Sequence, residues 1–149
     1  MTHTSIRQDA IRLYRELTAA CNTNDLDSLD EILGPEFVDH SLPPGAPQGI
    51  DGFKAFRNAM YTSMMTVATI EDLFGEDDRV CARITVRGKH VGPFMGIPPT
   101  GQSLSMQIIE ITRVRDGKIV ERWNERDWLG LFRQMGIRWS QPAKEASPA

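Results

Sequence analysis

The sequence predicts an α+β fold in which N-terminal helices pack against a curved antiparallel sheet and enclose a cone-shaped central cavity. The helical spacing of apolar residues ends near residue 66, and a two-residue alternation follows as far as Asp127. Short turns such as Asp116-Gly117 separate the alternating segments and suit hairpins. Helices first and hairpin-connected strands after them are typical of this class. A chain of 149 residues fits one domain, which we assign to residues 1–139.

The first predicted helix covers residues 5–20. Its apolar residues recur at helical spacing and form one stripe, which comprises Ile6, Ala10, Leu13, Tyr14 and Leu17. The Tyr14 ring is either a core aromatic or a cavity residue, because a buried phenol hydroxyl needs a partner.

Two more helices are predicted before the sheet. Asn24 or Asp25 caps a short second helix, Leu26–Leu33, which Gly34-Pro35 ends. The extended piece Glu36–His40 and the proline-rich loop Ser41–Gly49 lead to the third helix. Asp51 is its expected N-cap, and its apolar residues are Phe53, Phe56, Ala59 and Met60.

Four strands follow, and they are predicted at Thr66–Phe74, Arg79–Val91, Ser103–Val114 and Ile119–Asp127. On the second of these, His90 shares the apolar face. The connection Gly92–Gly101 carries large apolar side chains, so we expect it to fold over something as a rim or lid. Ser103–Val114 is apolar on both faces, which predicts a homodimer, or a larger homo-oligomer, through the sheet.

The last strand is ambiguous. Counted in twos from Ile119, one face carries Ile119, Glu121, Trp123, Glu125 and Asp127. That face either lines a pocket or lies in solvent. A short amphipathic helix, Trp128–Met135, is predicted next, and residues 140–149 have the composition of a disordered tail.

Composition excludes several classes of protein. A net charge of −3 and a pI near 5.6 indicate neither a nucleic-acid partner nor a membrane surface. No apolar run approaches the ~18 residues of a transmembrane helix, and the N-terminus lacks the pattern of a signal peptide. Cys21 and Cys81 stand alone, so we expect reduced thiols in a cytoplasmic protein.

The sequence contains no nucleophile elbow, phosphate-binding loop or dinucleotide motif. The three histidines, His3, His40 and His90, are too scattered to predict a metal site. Asp127 beside two tryptophans is a candidate for proton transfer, because an apolar surround raises the pKa of a carboxyl group. From spacing alone, the favoured interpretation is that Asp127 caps the helix that follows it. His90 has the same two interpretations, a structural residue at a strand end or a site residue.

Several stretches together resemble the SnoaL-like polyketide cyclase family. In order, they are Phe37–His40, Gly49–Lys54, His90–Gly101, Arg113–Asp127 and Leu131–Gly136. The block His90–Gly101, HVGPFMGIPPTG, is the most specific of them. The resemblance covers nearly the whole chain.

The resemblance implies the cone-shaped fold of the nuclear-transport-factor-2-like superfamily. It also implies a cyclase or isomerase that acts on a polyketide-like or other hydrophobic carbonyl substrate, by an intramolecular aldol type of reaction without metal or cofactor. It implies that Asp127 is the general acid/base and that His90 orients or polarises the substrate carbonyl. The residues then expected to contact the small hydrophobic substrate are His40, Trp123, Tyr14, Phe37, Phe94, Phe56 and Met106. The same fold also leaves open a non-catalytic small-molecule-binding protein, or a related epoxide hydrolase or hydroxylase.

Overall fold

The computed structural model of this chain describes residues 2–140 and confirms the α+β class. Within this range, a single sheet is accompanied by four helices, α1 (His3–Thr23), α2 (Leu29–Ile32), α3 (Gly49–Met64) and α4 (Trp128–Gln134). Its five strands are β1 (Leu33–Asp39), β2 (Val67–Glu76), β3 (Arg79–Lys89), β4 (Ser103–Arg115) and β5 (Lys118–Arg126). From residue 141 onward, the predicted disordered tail lies outside the described residues. None of the described helices is long and apolar enough to span a membrane.

The strand order is β1-β5-β4-β3-β2, so the sheet is mixed. The three consecutive pairs are antiparallel, as predicted, but β1 lies parallel to β5 at one edge. The short extended segment before the loop at residue 41 thus has a partner more than 80 residues later, which no hairpin signal reveals. Gly34-Pro35, expected to end a helix, lies inside this strand, where proline is tolerated because the strand is at an edge.

Helix ends differ from the sequence prediction mainly around α2. Asn24 adopts a left-handed conformation and ends α1 instead of starting the next helix. Asp25 accepts hydrogen bonds from both the backbone and the hydroxyl of Ser28, immediately before α2. The helix itself has only four residues, because the chain becomes extended at Leu33 to pair with β5.

The β4–β5 hairpin contains the feature that orients the site. Asp116 and Gly117 both have positive φ, as a tight hairpin turn requires. After the pair Val114–Ile119, the next pair is Arg113–Glu121, so Val120 is an extra residue on β5. Such a bulge turns every later side chain to the opposite face. From Glu121 onward, β5 therefore faces the other way from the simple two-residue count.

The core fills the concave side of the sheet. Alternate residues of β3 and β4 are buried there beneath α1 and α3. The end of α3 approaches β3 so closely that a Cβ on Gly88 would lie 2.1 Å from the carbonyl oxygen of Met64. This contact requires glycine at position 88.

Candidate functional site

An inner cavity of about 40 Å³ lies on the concave side of the sheet. Its walls come from α1, α3, β2, β3, β4 and β5 and are mostly apolar, with four charged side chains among them. The charged residues are Arg57, Glu110, Arg122 and Arg126. Most of the other lining residues are aliphatic or aromatic, and they include Phe53, Phe56, Met60, Ile108 and Met106.

A second, larger concavity of about 700 Å³ lies at the mouth of the fold, and we call it the outer groove. The two proline-rich loops, α3 and α4 form it, and its surface is almost entirely apolar. Phe56 lines both the groove and the inner cavity. The remaining groove residues include Leu42, Pro43, Pro44, Phe94, Trp128 and Phe132.

The inner cavity borders a buried polar cluster. Arg122 donates to Asp39 Oδ2 over 2.7 Å and to Glu110 Oε2 over 2.5 Å. The Tyr14 hydroxyl donates to the other oxygen of Glu110. All four residues are buried, and the guanidinium of Arg122 also lies 5.3 Å above the Phe53 ring. A buried charge is tolerated when it is paired in this way.

Burial and the adjacent Glu110 carboxylate raise the pKa of Tyr14, so its hydroxyl stays protonated and remains a donor. Glu110 is the one carboxylate among the described residues that line the inner cavity. It receives one bond at each oxygen and keeps further lone pairs, since an ionised carboxylate has about four acceptor positions.

Arg126 differs from Arg122 although both project from the same face of β5. Its guanidinium carbon lies 4.9 Å from the centre of the Phe56 ring and 5.6 Å from that of Trp128. Among residues 2–140, no hydrogen bond or ion pair involves its side chain. Burial, and then the nearby charge of Arg122, lower the pKa of Arg126 to about 9. This half-buried cation therefore has no counter-ion within hydrogen-bond range among the described residues.

Arg57 supplies a second incompletely bonded guanidinium. One nitrogen donates to the backbone oxygen of Cys21 over a long 3.5 Å, and its buried Nε has no partner within the described part of the chain. Burial raises the pKa of Cys21, so that thiol stays neutral. Three guanidinium groups thus meet two carboxylates, Glu110 and Asp39, which leaves one positive charge in excess.

Of the residues expected to contact substrate, three line the two concavities. Phe56 and Met106 are in the wall of the inner cavity, and Phe94 is in the groove. Tyr14 and Phe37 lie one layer behind. Tyr14 contacts Glu110, and Phe37 packs edge-on against Phe53 with ring centres 5.5 Å apart.

Asp127 does not face either concavity. Its side chain is exposed, and its Oδ1 accepts a hydrogen bond of 2.8 Å from the backbone N–H of Gly130, so it caps α4. The second interpretation of this aspartate, a helix cap, therefore describes its position. The first is not matched because the bulge at Val120 turns Arg122 and Arg126 to the cavity side, and the alternate set that contains Asp127 to the opposite side.

His90 is fully buried at the base of the Gly92–Gly101 loop. Its Nδ1 accepts from the backbone N–H of Thr100 over 3.2 Å and lies 3.0 Å from the Thr100 hydroxyl. Neither concavity has it among its lining residues. Its position is that of a residue that anchors the loop.

His40 and Trp123 lie on the convex face of the sheet instead of in the cavity. Their rings stack at 4.9 Å, and Arg113 lies 5.5 Å above the indole. Trp123 pairs with Ile111, which is itself outward-facing. The expected orientation of Trp123 is wrong for the same reason as that of Asp127, namely the extra residue in β5.

The sequence interpretation missed Glu110, Arg122 and Arg126. One signal for Glu110 was available, since it interrupts an otherwise apolar or hydroxyl-bearing face of β4: Leu104, Met106, Ile108, Glu110, Thr112 and Val114. A lone charge on a buried face needs a partner there. The two arginines had no such signal, because the bulge that turns them inward is invisible without the pairing.

Comparisons with known proteins agree on one family. The family model described as SnoaL-like polyketide cyclase matches residues 9–135. The aklanonic acid methyl ester cyclase DnrD of Streptomyces peucetius is 30% identical over 136 residues, which cover 89% of this chain and 94% of that protein.

Two solved structures are also similar. TsrD of Streptomyces laurentii superposes with a TM-score of 0.80 at 35% identity, covering 87% of this chain and 96% of that one. IdmH of Streptomyces antibioticus superposes with a TM-score of 0.74 at 32% identity, covering 85% of this chain and 97% of that one.

Proposed function

Because this chain belongs to the SnoaL-like polyketide cyclase family, we propose that it closes a ring in a polyketide-like carbonyl substrate by a cofactor-independent, intramolecular aldol reaction. The observation that carries this proposal is the Glu110 carboxylate in the wall of the inner cavity, next to an apolar groove large enough for fused rings. A ligand site of this kind, mostly apolar with a few converging polar groups, is typical of enzymes that bind small molecules.

Glu110 acts as the general base in this proposal. It removes a proton from a substrate carbon that lies between two carbonyl groups, and the electron pair of that C–H bond forms an enolate. The enolate carbon then forms a C–C bond with a second carbonyl carbon, whose oxygen becomes an alkoxide. Protonated Glu110 returns the proton to that alkoxide, so product and substrate are isomers.

The surroundings of Glu110 favour this role. Tyr14 and Arg122 hold the carboxylate at both oxygens, which limits its rotation before the substrate binds. Such preorganisation contributes to catalysis because no reorientation is needed during the reaction. The nearby guanidinium groups support charge developing on the enolate oxygen.

Asp127, which the resemblance implies as the proton carrier, is the alternative base. The paired variants Glu110→Gln and Asp127→Asn separate the two residues. We expect the first to lower kcat/KM by about 100-fold or more, which is the usual contribution of a general base. We expect the second to keep kcat/KM within about threefold, because asparagine caps a helix as well as aspartate does.

The assay follows product formation by chromatography from a panel of polyketide methyl esters and the matching free acids, including aklanonic acid methyl ester. Full activity of Glu110→Gln, or loss of activity in a folded Asp127→Asn protein, contradicts the assignment to Glu110. If the wild-type protein binds panel members but consumes none, the non-catalytic binding protein is favoured instead.

Epoxide hydrolysis is a second candidate, and one observation favours it. Asp39, Arg122 and Glu110 form a carboxylate–guanidinium–carboxylate row, and two acids held on one arginine could bind and activate a water. Only Glu110 of the two acids lines the cavity, however, which leaves no position for a water between both acids. Product mass distinguishes the reactions, because cyclisation leaves the mass unchanged and hydrolysis adds one water.

We also propose a cytoplasmic homodimer that joins through the convex face of the sheet. The large apolar side chains exposed on that face include Phe74 on β2 and Ile109 and Ile111 on β4. A second copy that covers them would remove this apolar area from water. The two cysteines are unpaired, as expected in a reducing compartment.

A further inference from the structure

The uncompensated charge of the inner cavity points to the chemistry of the ligand. Arg122 already engages both Asp39 and Glu110, so neither acid is available to pair with Arg126. Arg57 also faces the cavity, and its buried Nε has no partner among residues 2–140. Both guanidinium groups are half-buried, and a cation that is partly removed from water without a counter-ion is costly, which makes this arrangement a candidate ligand site.

We infer that Arg126, with Arg57 beside it, forms an anion subsite that binds a carboxylate group of the substrate, so that this chain acts on free acids in preference to methyl esters. The inference deepens the proposed function and rests on it for the identity of the cavity as a substrate site. It departs from the ester named for the Streptomyces peucetius relative.

A charge count shows why the anion expected at this site is a carboxylate of the ligand and not the enolate formed during the reaction. When Glu110 takes a proton from the substrate, a carboxylate disappears as an enolate appears, so the total charge inside the cavity does not change. The excess positive charge is therefore neutralised only by a ligand that arrives as an anion. A carboxylate does this, and its two oxygens match the planar fork of a guanidinium.

The size of the inner cavity and the position of Arg126 both agree with a carboxylate ligand. A cavity of about 40 Å³ holds about three water-sized groups, at roughly 10–15 Å³ each, and a carboxylate has three heavy atoms. Arg126 stacks on Phe56 and Trp128, and both of these rings line the outer groove. A carboxylate bound to Arg126 thus leaves the apolar rings of its ligand at the groove.

Calorimetric titration with 3-hydroxy-2-naphthoate and with its methyl ester tests the subsite at pH 7. We expect the wild-type protein to bind the acid at least about tenfold more tightly than the ester, since a hydrogen bond to a charged group contributes about 1.5–3 kcal/mol. Arg126→Met keeps an unbranched side chain between the two rings, and should weaken binding of the acid about tenfold while leaving the ester unaffected. Arg126→Lys should restore part of the preference.

The matched control is Arg15→Met, which removes an exposed arginine of α1 that makes no ion pair within the described residues; it should change neither affinity. Equal binding of acid and ester by the wild-type protein, including no binding of either, overturns the inference. So does unchanged acid binding in Arg126→Met. Because the readout is binding alone, an inactive protein that still selects the acid contradicts the proposed reaction and leaves the subsite standing.

Discussion

Arg122 and Arg126 project from the same face of β5, but only the replacement of Arg122 by methionine should lower the free energy of unfolding. Arg122 is bonded to two buried carboxylates. Arg122→Met leaves both acids uncompensated, and breaking a buried ion pair in this way costs about 3–5 kcal/mol. This is a large part of the ~5–15 kcal/mol by which a domain is usually stable.

Within residues 2–140, the interactions found for the Arg126 side chain are those with the Phe56 and Trp128 rings, at 4.9 and 5.6 Å. Two such cation–π contacts contribute about 0.5–1 kcal/mol each, so their loss costs at most about 2 kcal/mol. Removing the cation also removes the partial desolvation of this half-buried group and its repulsion by Arg122. We therefore expect Arg126→Met to be as stable as the wild-type protein or more stable.

Urea unfolding, followed by far-ultraviolet circular dichroism at one protomer concentration, measures both free energies of unfolding. The reasoning is refuted if Arg126→Met loses more than about 2 kcal/mol, or if Arg122→Met unfolds within about 1 kcal/mol of the wild-type protein. The first result would make Arg126 a structural residue, and the second would mean that solvent already compensates the buried acids. If the Arg122→Met protein does not fold, this agrees with the expected loss of stability, provided that the Arg122→Lys protein folds with intermediate stability.

Two further predictions concern the fold and the assembly. Light scattering at micromolar concentration should give twice the 16.7 kDa mass of one chain, and Ile109→Arg on the convex face should give the monomer mass; a wild-type monomer would contradict the dimer. Gly88→Ala should lose about 1–3 kcal/mol or more through overpacking, because its Cβ would lie 2.1 Å from a backbone oxygen. The milder Gly92→Ala, with its nearest atoms at 3.2 Å, should lose less, and equal thermal midpoints for the two variants would argue against this explanation.

Much of the architecture could be predicted from local patterns. The helical stripe of α1, the alternation of β3 and β4 and the turn at Asp116-Gly117 each depend on neighbouring residues, so they are visible in the sequence. The parallel pairing of β1 with β5 is not, because it joins segments more than 80 residues apart. Phe56 and Phe94 were expected to contact the substrate, and both line the concavities of the structure.

The charged part of the site could not be predicted for a more specific reason. A two-residue count along β5 assigns faces correctly only if no residue is inserted, and Val120 is inserted. The count therefore selected Trp123 and Asp127 and rejected Arg122 and Arg126. Resemblance to a family did not correct this error, because matching motifs align positions without showing which side chains point into the cavity.

Glu110 is the base of the proposed reaction and also lies beside the proposed anion subsite. Its carboxylate promotes turnover but weakens the binding of an anionic ligand. As the base, it is required for turnover. As the carboxylate facing the cavity, it also repels a carboxylate ligand, so Glu110→Gln raises the excess from one positive charge to two. That variant should lose turnover and bind 3-hydroxy-2-naphthoate more tightly than the wild-type protein. A purely structural glutamate predicts instead that affinity falls together with turnover, so measuring both quantities on one folded variant decides between these roles.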